Sequence, residues 1–231
     1  MFRFKILKQS KKSRARTGSI TTPHGEFRTP AFIPVATLGV IKGGLDADDA
    51  QMAGVQCQIT NTFHFLDLDR YAQVKKAGGL HSFFNFPKPI GTDSGGFQVL
   101  SLGKGMEYGL GKIQSLFPGE NVATVKSGKN LVRIFEEGVR FRSPRNGREI
   151  FLTPELSARV QTALGADFIY LLDICGTNID TYATAKTELA RTLRWYRRFL
   201  RVPIPPSQAM FAIVQGGLFK ELRREAIAAI N

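Results

Sequence analysis

Three polar residues, Asp93, Asp173 and Gln215, each stand directly after a short apolar segment of the sequence. Carboxylates and carboxamides are side chains with which proteins hydrogen-bond polar ligands. If the apolar segments are strands of a parallel sheet, these residues stand at carboxyl ends, where α/β folds bind ligands and carry catalytic groups. We therefore expect the three side chains to converge on one mouth.

The first of these residues opens the segment Asp93-Ser94-Gly95-Gly96-Phe97-Gln98. Its two glycines let backbone N–H groups approach a ligand closely, and its phenyl ring offers a flat apolar face for a planar ring. Spacing alone leaves a second interpretation open, in which Asp93 caps a helix and the glycines only make the turn. The segment is not a Walker loop, because no Gly-Lys-Ser/Thr follows, and it is not a dinucleotide fingerprint.

Asp173 follows five apolar residues, so an ionised carboxylate there needs hydrogen-bond donors. The edge of guanine supplies a ring N–H and an amino group side by side, which match the two carboxylate oxygens, and Gln215 could read the remaining carbonyl. The alternative partner of Asp173 is an arginine. Cys175, two residues further on, either touches the ligand or is a buried inert thiol.

The histidines and cysteines show no metal-ligand spacing, and the sequence predicts no metal site in this chain. His24, His64 and His81 are scattered. The segment Asn61-Thr62-Phe63-His64 could line the mouth, although a structural histidine is the favoured interpretation. The arginines of residues 191–201 either meet phosphates or form the solvated face of a helix.

Apolar segments alternate with helical segments from about residue 31, which predicts an α/β fold with parallel strands. The predicted strands cover residues 31–36, 56–60, 86–93, 168–172 and 210–214. The predicted helices begin at residues 46–49 and at Thr153-Pro154, the latter closing at Gly165, and cover residues 181–200 and 218–230.

Three further segments have distinct patterns. Residues 2–6 alternate apolar and basic side chains, which predicts a half-buried strand and is less typical of a targeting peptide. Residues 139–143 and 149–152 flank an Asn-Gly turn and predict a hairpin. The glycine- and lysine-rich residues 103–130 predict a mobile insertion loop.

The 231 residues carry 32 Lys and Arg against 19 Asp and Glu, so the formal net charge is +13. This charge indicates a polyanionic partner, and RNA, DNA and anionic lipid all remain open. Two cysteines and no long apolar run argue against a secreted or membrane-spanning protein, so we expect a cytoplasmic protein with no membrane partner. The length suits one large domain without repeats.

Taken together, these segments resemble the tRNA-guanine transglycosylase (queuine tRNA-ribosyltransferase) family. The resemblance runs from about residue 16 to residue 231. It rests on the following motifs in order: His24-Gly25, Thr29-Pro30-Ala31-Phe32-Ile33-Pro34-Val35, Asn61-Thr62-Phe63-His64, Gly78-Gly79-Leu80-His81, Thr92-Asp93-Ser94-Gly95-Gly96-Phe97-Gln98-Val99, Glu136-Glu137-Gly138-Val139, Pro154-Glu155, Leu164-Gly165-Ala166-Asp167, Arg191-Thr192-Leu193-Arg194-Trp195 and Ile213-Val214-Gln215-Gly216-Gly217.

The resemblance implies a (β/α)8 TIM-barrel fold with insertions. It further implies an enzyme that replaces guanine at the wobble position of tRNA with a 7-deazaguanine, queuine or its precursor, through a covalent ribosyl-enzyme. Asp93 matches the proton acceptor, Asp173 and Gln215 match base contacts, and Phe97 matches the stacking ring. The substrate-binding set it implies is Asp93, Ser94, Gly95, Gly96, Phe97, Asp173, Cys175 and Gln215. The expected partners are tRNA and the base, with a homodimer left open and no organic cofactor.

Departures from the family pattern concern the rest of the barrel. By the resemblance, the nucleophilic aspartate, a Gly-Gly-Leu loop and the Cys/His zinc cluster lie beyond Asn231. We therefore expect residues 1–231 to be the N-terminal part of a single barrel domain, incomplete in this chain. Ile174, Ala36 and Pro144 replace residues common in the family, and Ile174 leaves the choice of incoming base open.

Two other hypotheses remain open at this point. The chain could be a catalytically incomplete tRNA-binding fragment or a non-catalytic partner subunit. An unrelated barrel enzyme acting on a small phosphorylated substrate is the third interpretation, and the absence of a glycine-rich phosphate loop near the end of the sequence weakens it.

Overall fold

A computed structural model describes residues 2–96, 132–143, 146–177 and 180–231. The predicted insertion loop at residues 103–130 lies outside the described residues, as do Phe97 and part of the predicted hairpin turn. The strands are, in chain order, β1 (Arg3–Gln9), β2 (Arg16–Thr22), β3 (Gly25–Thr29), β4 (Ala36–Thr37), β5 (Val40–Ile41), β6 (Gln58–Asn61), β7 (Ile90–Asp93), β8 (Val132–Ile134), β9 (Val139–Arg142), β10 (Glu149–Leu152), β11 (Phe168–Tyr170) and β12 (Ala209–Phe211).

Seven helices lie within the described residues. They are, in chain order, α1 (Ala47–Met52), α2 (Thr62–Asp67), α3 (Tyr71–Lys76), α4 (Leu80–Phe84), α5 (Pro154–Leu164), α6 (Tyr182–Phe199) and α7 (Lys220–Ile230). Among the helices of these ranges, none is both long and apolar enough to cross a membrane.

The chain forms two compact units, each built from segments that are distant in sequence. The first unit comprises Met1–Asp93, Ala158–Tyr170 and Pro203–Phe211, and the second comprises Ser94–Ser157, Leu171–Val202 and Ala212–Asn231.

The centre of the first unit is a four-stranded parallel sheet with the order β12-β11-β7-β6. This confirms the predicted α/β class with a parallel sheet. Only the last four residues of the predicted strand 86–93 form β7, because Pro87 and Pro89 have no N–H to donate. The predicted strand 31–36 is confirmed only at its end, because Pro34 interrupts it: Val35 forms a parallel bridge with Ile59 of β6, and Ala36 begins β4.

The parallel strands pack closely because one of them lacks a side chain at a contact. A Cβ atom on Gly91 would lie 2.1 Å from the ring of Phe168, its partner on β11. The glycine therefore makes room for that ring, which packs with Phe27 and Cys57 in a buried cluster. The cluster joins the parallel sheet to the antiparallel sheet β1-β2-β3.

The N-terminal strand is confirmed as β1, but its predicted half-burial is wrong. Every residue of β1 is exposed, and Phe4 and Ile6 are about half exposed. The reason is that β1 is an edge strand, which within the described ranges pairs with β2 alone, and the sequence patterns did not predict this. Asp46 caps α1 as predicted, accepting hydrogen bonds from two backbone N–H groups.

The second unit combines the predicted hairpin with two long helices. Strands β9 and β10 pair antiparallel, and β8 adds a third strand that was not predicted. Helix α6 begins after its cap Thr181, as predicted, and packs against α7 through a small apolar cluster. Leu200, the residue that follows the last turn of α6, is more than half exposed.

Candidate functional site

Asp93 is the last residue of β7 and lies directly opposite Asn61, the last residue of β6. The amide of Asn61 donates a hydrogen bond to the Asp93 carboxylate over 2.6 Å. Its amide oxygen accepts from the backbone N–H of Phe63 over 2.8 Å and so caps α2. The Thr62 hydroxyl donates to the main-chain carbonyl of Asp93. The start of α2 thus fixes the carboxylate at the carboxyl end of the sheet.

Gln161 of α5 holds the two central strands from the helix side of the sheet. Its amide oxygen accepts from the Thr92 hydroxyl over 3.1 Å and from the backbone N–H of Tyr170 over 3.0 Å. Its amide nitrogen donates to the carbonyl of Tyr170 over 2.8 Å. This completely buried glutamine therefore ties the residue before Asp93 to the end of β11. Sequence reasoning missed it, although a glutamine on the buried face of an amphipathic helix was a usable signal.

Asp173 lies in the second unit, just beyond β11, and is 4% exposed. Gln215 donates its amide N–H to one carboxylate oxygen over 2.5 Å. The Ser94 hydroxyl donates to the other oxygen over 3.4 Å. Across the described ranges these are its side-chain hydrogen bonds, and no arginine pairs with it, so the alternative arginine partner is not observed.

Burial raises the pKa of Asp173 to about 6, against hydrogen bonds from Gln215 and Ser94 that lower it. Removing water from a carboxylate disfavours its charged form, and two neutral donors offset only part of that effect. The group is therefore mostly ionised at neutral pH and becomes protonated at mildly acidic pH. Strongly perturbed pKa values are typical of functional sites, although structural networks also produce them.

Helix α6 anchors both segments that carry these residues. The Thr192 hydroxyl accepts from the backbone N–H of Ile174 over 3.1 Å. One turn later, the Tyr196 hydroxyl donates to the carbonyl of Ile213 over 2.9 Å and accepts from its N–H over 3.0 Å. Both anchoring side chains are buried. They fix the backbone beside Asp173 and two residues before Gln215, and sequence reasoning assigned them no such role.

Two glycines allow the backbone of this site to pack closely. A Cβ atom on Gly96 would lie 2.8 Å from the carbonyl oxygen of Asp173. One on Gly216 would lie 2.8 Å from backbone atoms at the start of α7, and the φ of Gly216 is +119°. Gly96 was predicted to bring backbone close to a ligand, whereas here it brings backbone close to Asp173. Its N–H donates to the Ser94 hydroxyl over 3.2 Å.

The structure brings together Ser94, Asp173 and Gln215 in the second unit, whereas Asp93 belongs to the first. The convergence of all three predicted polar residues on one mouth therefore stays a prediction. Cys175 is partly exposed, with its sulfur 3.6 Å from the carbonyl oxygen of Gly176, so it is not the fully buried thiol of the alternative interpretation.

Three arginines of α6, Arg191, Arg194 and Arg198, form ion pairs. Arg194 donates to Glu136 over 2.8 Å, and Arg191 also donates to it. Arg198 donates to both oxygens of Glu155 over 2.7 and 2.8 Å. Hydrogen bonds from Arg194 hold the pKa of Glu136 at about 2, well below its usual range. These three arginines are thus neither free phosphate ligands nor a merely solvated face.

Two of the three histidines meet on one buried carboxylate in the first unit, although they are far apart in sequence. His24 Nδ1 and His81 Nε2 each lie 2.9 Å from a different oxygen of Asp167, and the rings stack with centroids 3.4 Å apart. Burial opposes ionisation, but hydrogen bonds from His81, the Ile90 N–H and His24 hold the pKa of Asp167 at about 2.

These three residues offer metal-ligand atoms within 4.8 Å of one another. The rings are only 14° from parallel, however, so their in-plane lone pairs do not point at a common ion. The cluster of His24, His81 and Asp167 therefore fits a hydrogen-bonded clasp better than a metal centre. It lies where β7 and β11 begin, the end of a parallel sheet associated with stability.

A family model described as queuine tRNA-ribosyltransferase matches residues 10–231. Similar proteins named queuine tRNA-ribosyltransferase come from Protochlamydia amoebophila, 41% identical with 100% of this chain and 58% of the relative covered, and Thermus thermophilus, 41% identical with 97% and 51% covered. The chain spans about half the length of the curated relatives it matches. It belongs to the queuine tRNA-ribosyltransferase family.

Proposed function

We propose that this chain carries the base-recognition part of a tRNA-guanine transglycosylase, which replaces guanine at the wobble position of tRNA with a 7-deazaguanine. The observation that carries the proposal is the buried carboxylate of Asp173, held by Gln215 and Ser94. Family membership supports tRNA and a purine as the substrates.

Asp173 is proposed to bind the edge of the extruded base. Its two oxygens accept from the ring N–H and the exocyclic amino group, which only the ionised carboxylate can do for both donors. Gln215 has an amide to direct at the base carbonyl. Phe97 is proposed to stack on the ring, and Gly95, Gly96 and Cys175 to line the same pocket.

Asp93 is proposed as the proton acceptor. In the first half of the reaction, an aspartate attacks the ribose anomeric carbon, the bond to guanine breaks, and guanine leaves with the bonding electrons and takes a proton from the protonated form of Asp93. In the second half, a nitrogen of the incoming base attacks the same carbon, the bond to the aspartate breaks, and Asp93 accepts the proton from that nitrogen. Asn61 supports this role by holding the carboxylate in one orientation.

The wider assembly follows the same proposal. The four parallel strands are proposed to be part of a (β/α)8 barrel to which residues 1–231 contribute a single domain, with residues 103–130 as an insertion. We propose that the attacking aspartate and the zinc ligands lie in the part of the family's length that this chain does not span. Among the described residues no set suits a Cys/His zinc site, because Cys57 is buried with its pKa raised to about 12 and the His24 and His81 rings are parallel.

The test measures base binding and base exchange separately. Free guanine is titrated calorimetrically into wild type and Asp173→Asn, and we expect at least a hundredfold loss of affinity, because the amide presents a donor to a donor. Unchanged affinity would refute the role of Asp173.

Exchange is followed as radiolabelled guanine entering unmodified tRNA, with any sequence beyond residue 231 included in the protein. Asp93→Asn should abolish exchange and leave tRNA binding intact. Binding of tRNA by the wild type without any exchange would instead favour a non-catalytic partner subunit.

A further inference from the structure

The positive charge of this protein is concentrated at its N-terminal hairpin. Residues 1–16 hold seven Lys and Arg and no Asp or Glu, which is more than half of the net surplus of 13. Five of these cations lie in residues 8–16, the end of β1, the turn and the start of β2, which we name the basic tip. They are Lys8, Lys11, Lys12, Arg14 and Arg16.

The cations of the basic tip are not neutralised within the described part of the chain. All five are exposed, and none forms an ion pair there. The contrast is with Arg194 and Arg198 of α6, whose guanidinium groups are bound by Glu136 and Glu155. The nearby carboxylate of Glu26 interacts electrostatically with Lys5 and Arg28, and both of these cations lie outside the basic tip. The tip therefore presents the concentrated charge that a polyanion would meet.

The backbone of the basic tip has a defined conformation. The N–H of Ser10 donates to the carbonyl of Ala15 over 2.8 Å and closes the turn. The Ser10 hydroxyl accepts from the N–H of Lys12 over 3.1 Å, and the Ser13 hydroxyl accepts from the N–H of Ala15 over 3.2 Å. A turn held in this way loses less conformational entropy on binding than a free tail would.

The chemistry of the tip favours a nucleic-acid backbone over a membrane surface. Segments that bind bilayers place large apolar side chains opposite their basic face. Residues 8–16 contain only Ala15 as an apolar residue, and the half-exposed Phe4, Ile6 and Leu7 precede them in β1, so the tip itself has no large apolar side chain to insert between lipid chains. Lysines and arginines interspersed with serines are suited to phosphate oxygens, which accept from both ammonium groups and hydroxyls.

We propose that the basic tip is an RNA-binding arm that contacts the phosphate backbone of the tRNA. This inference rests on the proposed function, which supplies the RNA. The arm belongs to the antiparallel sheet, whereas Asp93 ends a strand of the parallel sheet, so it contacts the RNA backbone and takes no part in base recognition.

The test compares two charge-matched variants for binding to an unmodified tRNA transcript over a series of salt concentrations. The arm variant is K8Q/K11Q/K12Q/R14Q. The control variant removes four exposed cations elsewhere in the first unit and is K42Q/R70Q/K75Q/K76Q. Each phosphate contact contributes roughly 0.7 to 0.9 to the slope of log affinity against log salt. We expect the slope of the arm variant to fall by about three and that of the control to stay within about one of wild type.

Folding, tRNA binding and vesicle binding are each measured, so that their outcomes can be told apart. Circular dichroism establishes whether both variants are folded. If the arm variant is not folded, Arg14→Gln alone replaces it, and we expect that single substitution to lower the slope of log affinity against log salt by about one. Equal losses in the two folded variants, or no loss in either, would overturn the proposal. So would arm-dependent binding to phosphatidylglycerol vesicles in a protein that ignores tRNA.

Titration with free guanine distinguishes failure of the arm from failure of the proposed function. If the arm variant binds tRNA as wild type does and guanine binding still depends on Asp173, only the arm is refuted. If wild type binds neither guanine nor tRNA, both the proposed function and the RNA-binding arm are refuted.

Discussion

Replacing Asp173 by asparagine should make the second unit more stable than in wild type at neutral pH. Near pH 4 the variant and wild type should be equally stable. Asparagine has the same shape, and its amide can still accept from Gln215 while donating to Ser94, whose hydroxyl also accepts. The substitution therefore removes one charge and no packing. At neutral pH the wild-type carboxylate is ionised in a place that disfavours ionisation.

The magnitude follows from the pKa of Asp173, raised from its ordinary value of 3.8 to about 6. A difference of that size corresponds to about 3 kcal/mol at roughly 1.4 kcal/mol per pH unit. Because the folded-state pKa is the higher one, this carboxyl contributes most to stability below pH 4, and the contribution is lost as pH rises through about 6. The variant lacks this titration, so its free energy of unfolding should exceed that of wild type by an amount that grows to about 3 kcal/mol as pH rises from 4 to above 6.

The assay is urea unfolding followed by tryptophan fluorescence at several values of pH between 4 and 7.5. Trp195 is the single tryptophan and is completely buried in the second unit, so its emission reports the unit that holds Asp173. Glu225→Gln on α7 removes an exposed carboxylate of the same unit as a control. A stability difference between Asp173→Asn and wild type that stays constant across this pH range would refute the reasoning.

Three further substitutions test other parts of the structure. Asn61→Ala should lower the kcat of base exchange roughly ten- to hundredfold while free guanine binds as before, since the amide orients Asp93 and caps α2 but is not one of the proposed base contacts; an equal loss of guanine affinity would contradict this. Asp167→Asn should lower the free energy of unfolding, measured by circular dichroism, by about 3 kcal/mol, because it leaves buried donors unpaired. As pH falls from 4 to 2, the free energy of unfolding of wild type should fall by about 2 kcal/mol through protonation of Asp167, and that of the variant should not. An unchanged unfolding midpoint in the variant would show that the clasp is not structural. Gly91→Ala should lower the free energy of unfolding in urea by about 1 to 3 kcal/mol, since its Cβ would overlap the Phe168 ring. A free energy of unfolding equal to that of wild type would mean that the ring moves aside freely.

The sequence predicted the elements whose hydrophobic period repeats several times. Helix α6 and the hairpin β9–β10 are long or regular enough for that pattern to be read. Helices α2 to α4 were missed because five or six residues hold fewer than two turns, too few for a period to appear. Prolines shortened two predicted strands because sheet pairing needs the N–H that proline lacks.

The hydrogen-bond partners of the site residues were hard to predict. The sequence predicted that Asp173 needs donors, but it named a guanine edge or an arginine, and it assigned Gln215 to the base carbonyl and not to Asp173. It did not predict that His24 and His81 meet on Asp167, because those contacts join residues 143 and 86 positions apart. Such pairs depend on how strands and turns are brought together by packing, and no local spacing records them.

The two properties of Asp173, a buried charge and the proposed base ligand, have one physical origin. Burial takes water from the carboxylate, and Gln215, Ser94 and the backbone N–H of Asp173 supply only part of the donors that its roughly four lone-pair sites accept. A base edge with two adjacent N–H groups would supply more, and it would stabilise only the ionised form. Base binding and loss of the proton are therefore coupled, so each favours the other. If Asp173 is the base ligand that we propose, base binding should therefore lower its pKa, and guanine should bind more weakly as pH falls below about 6.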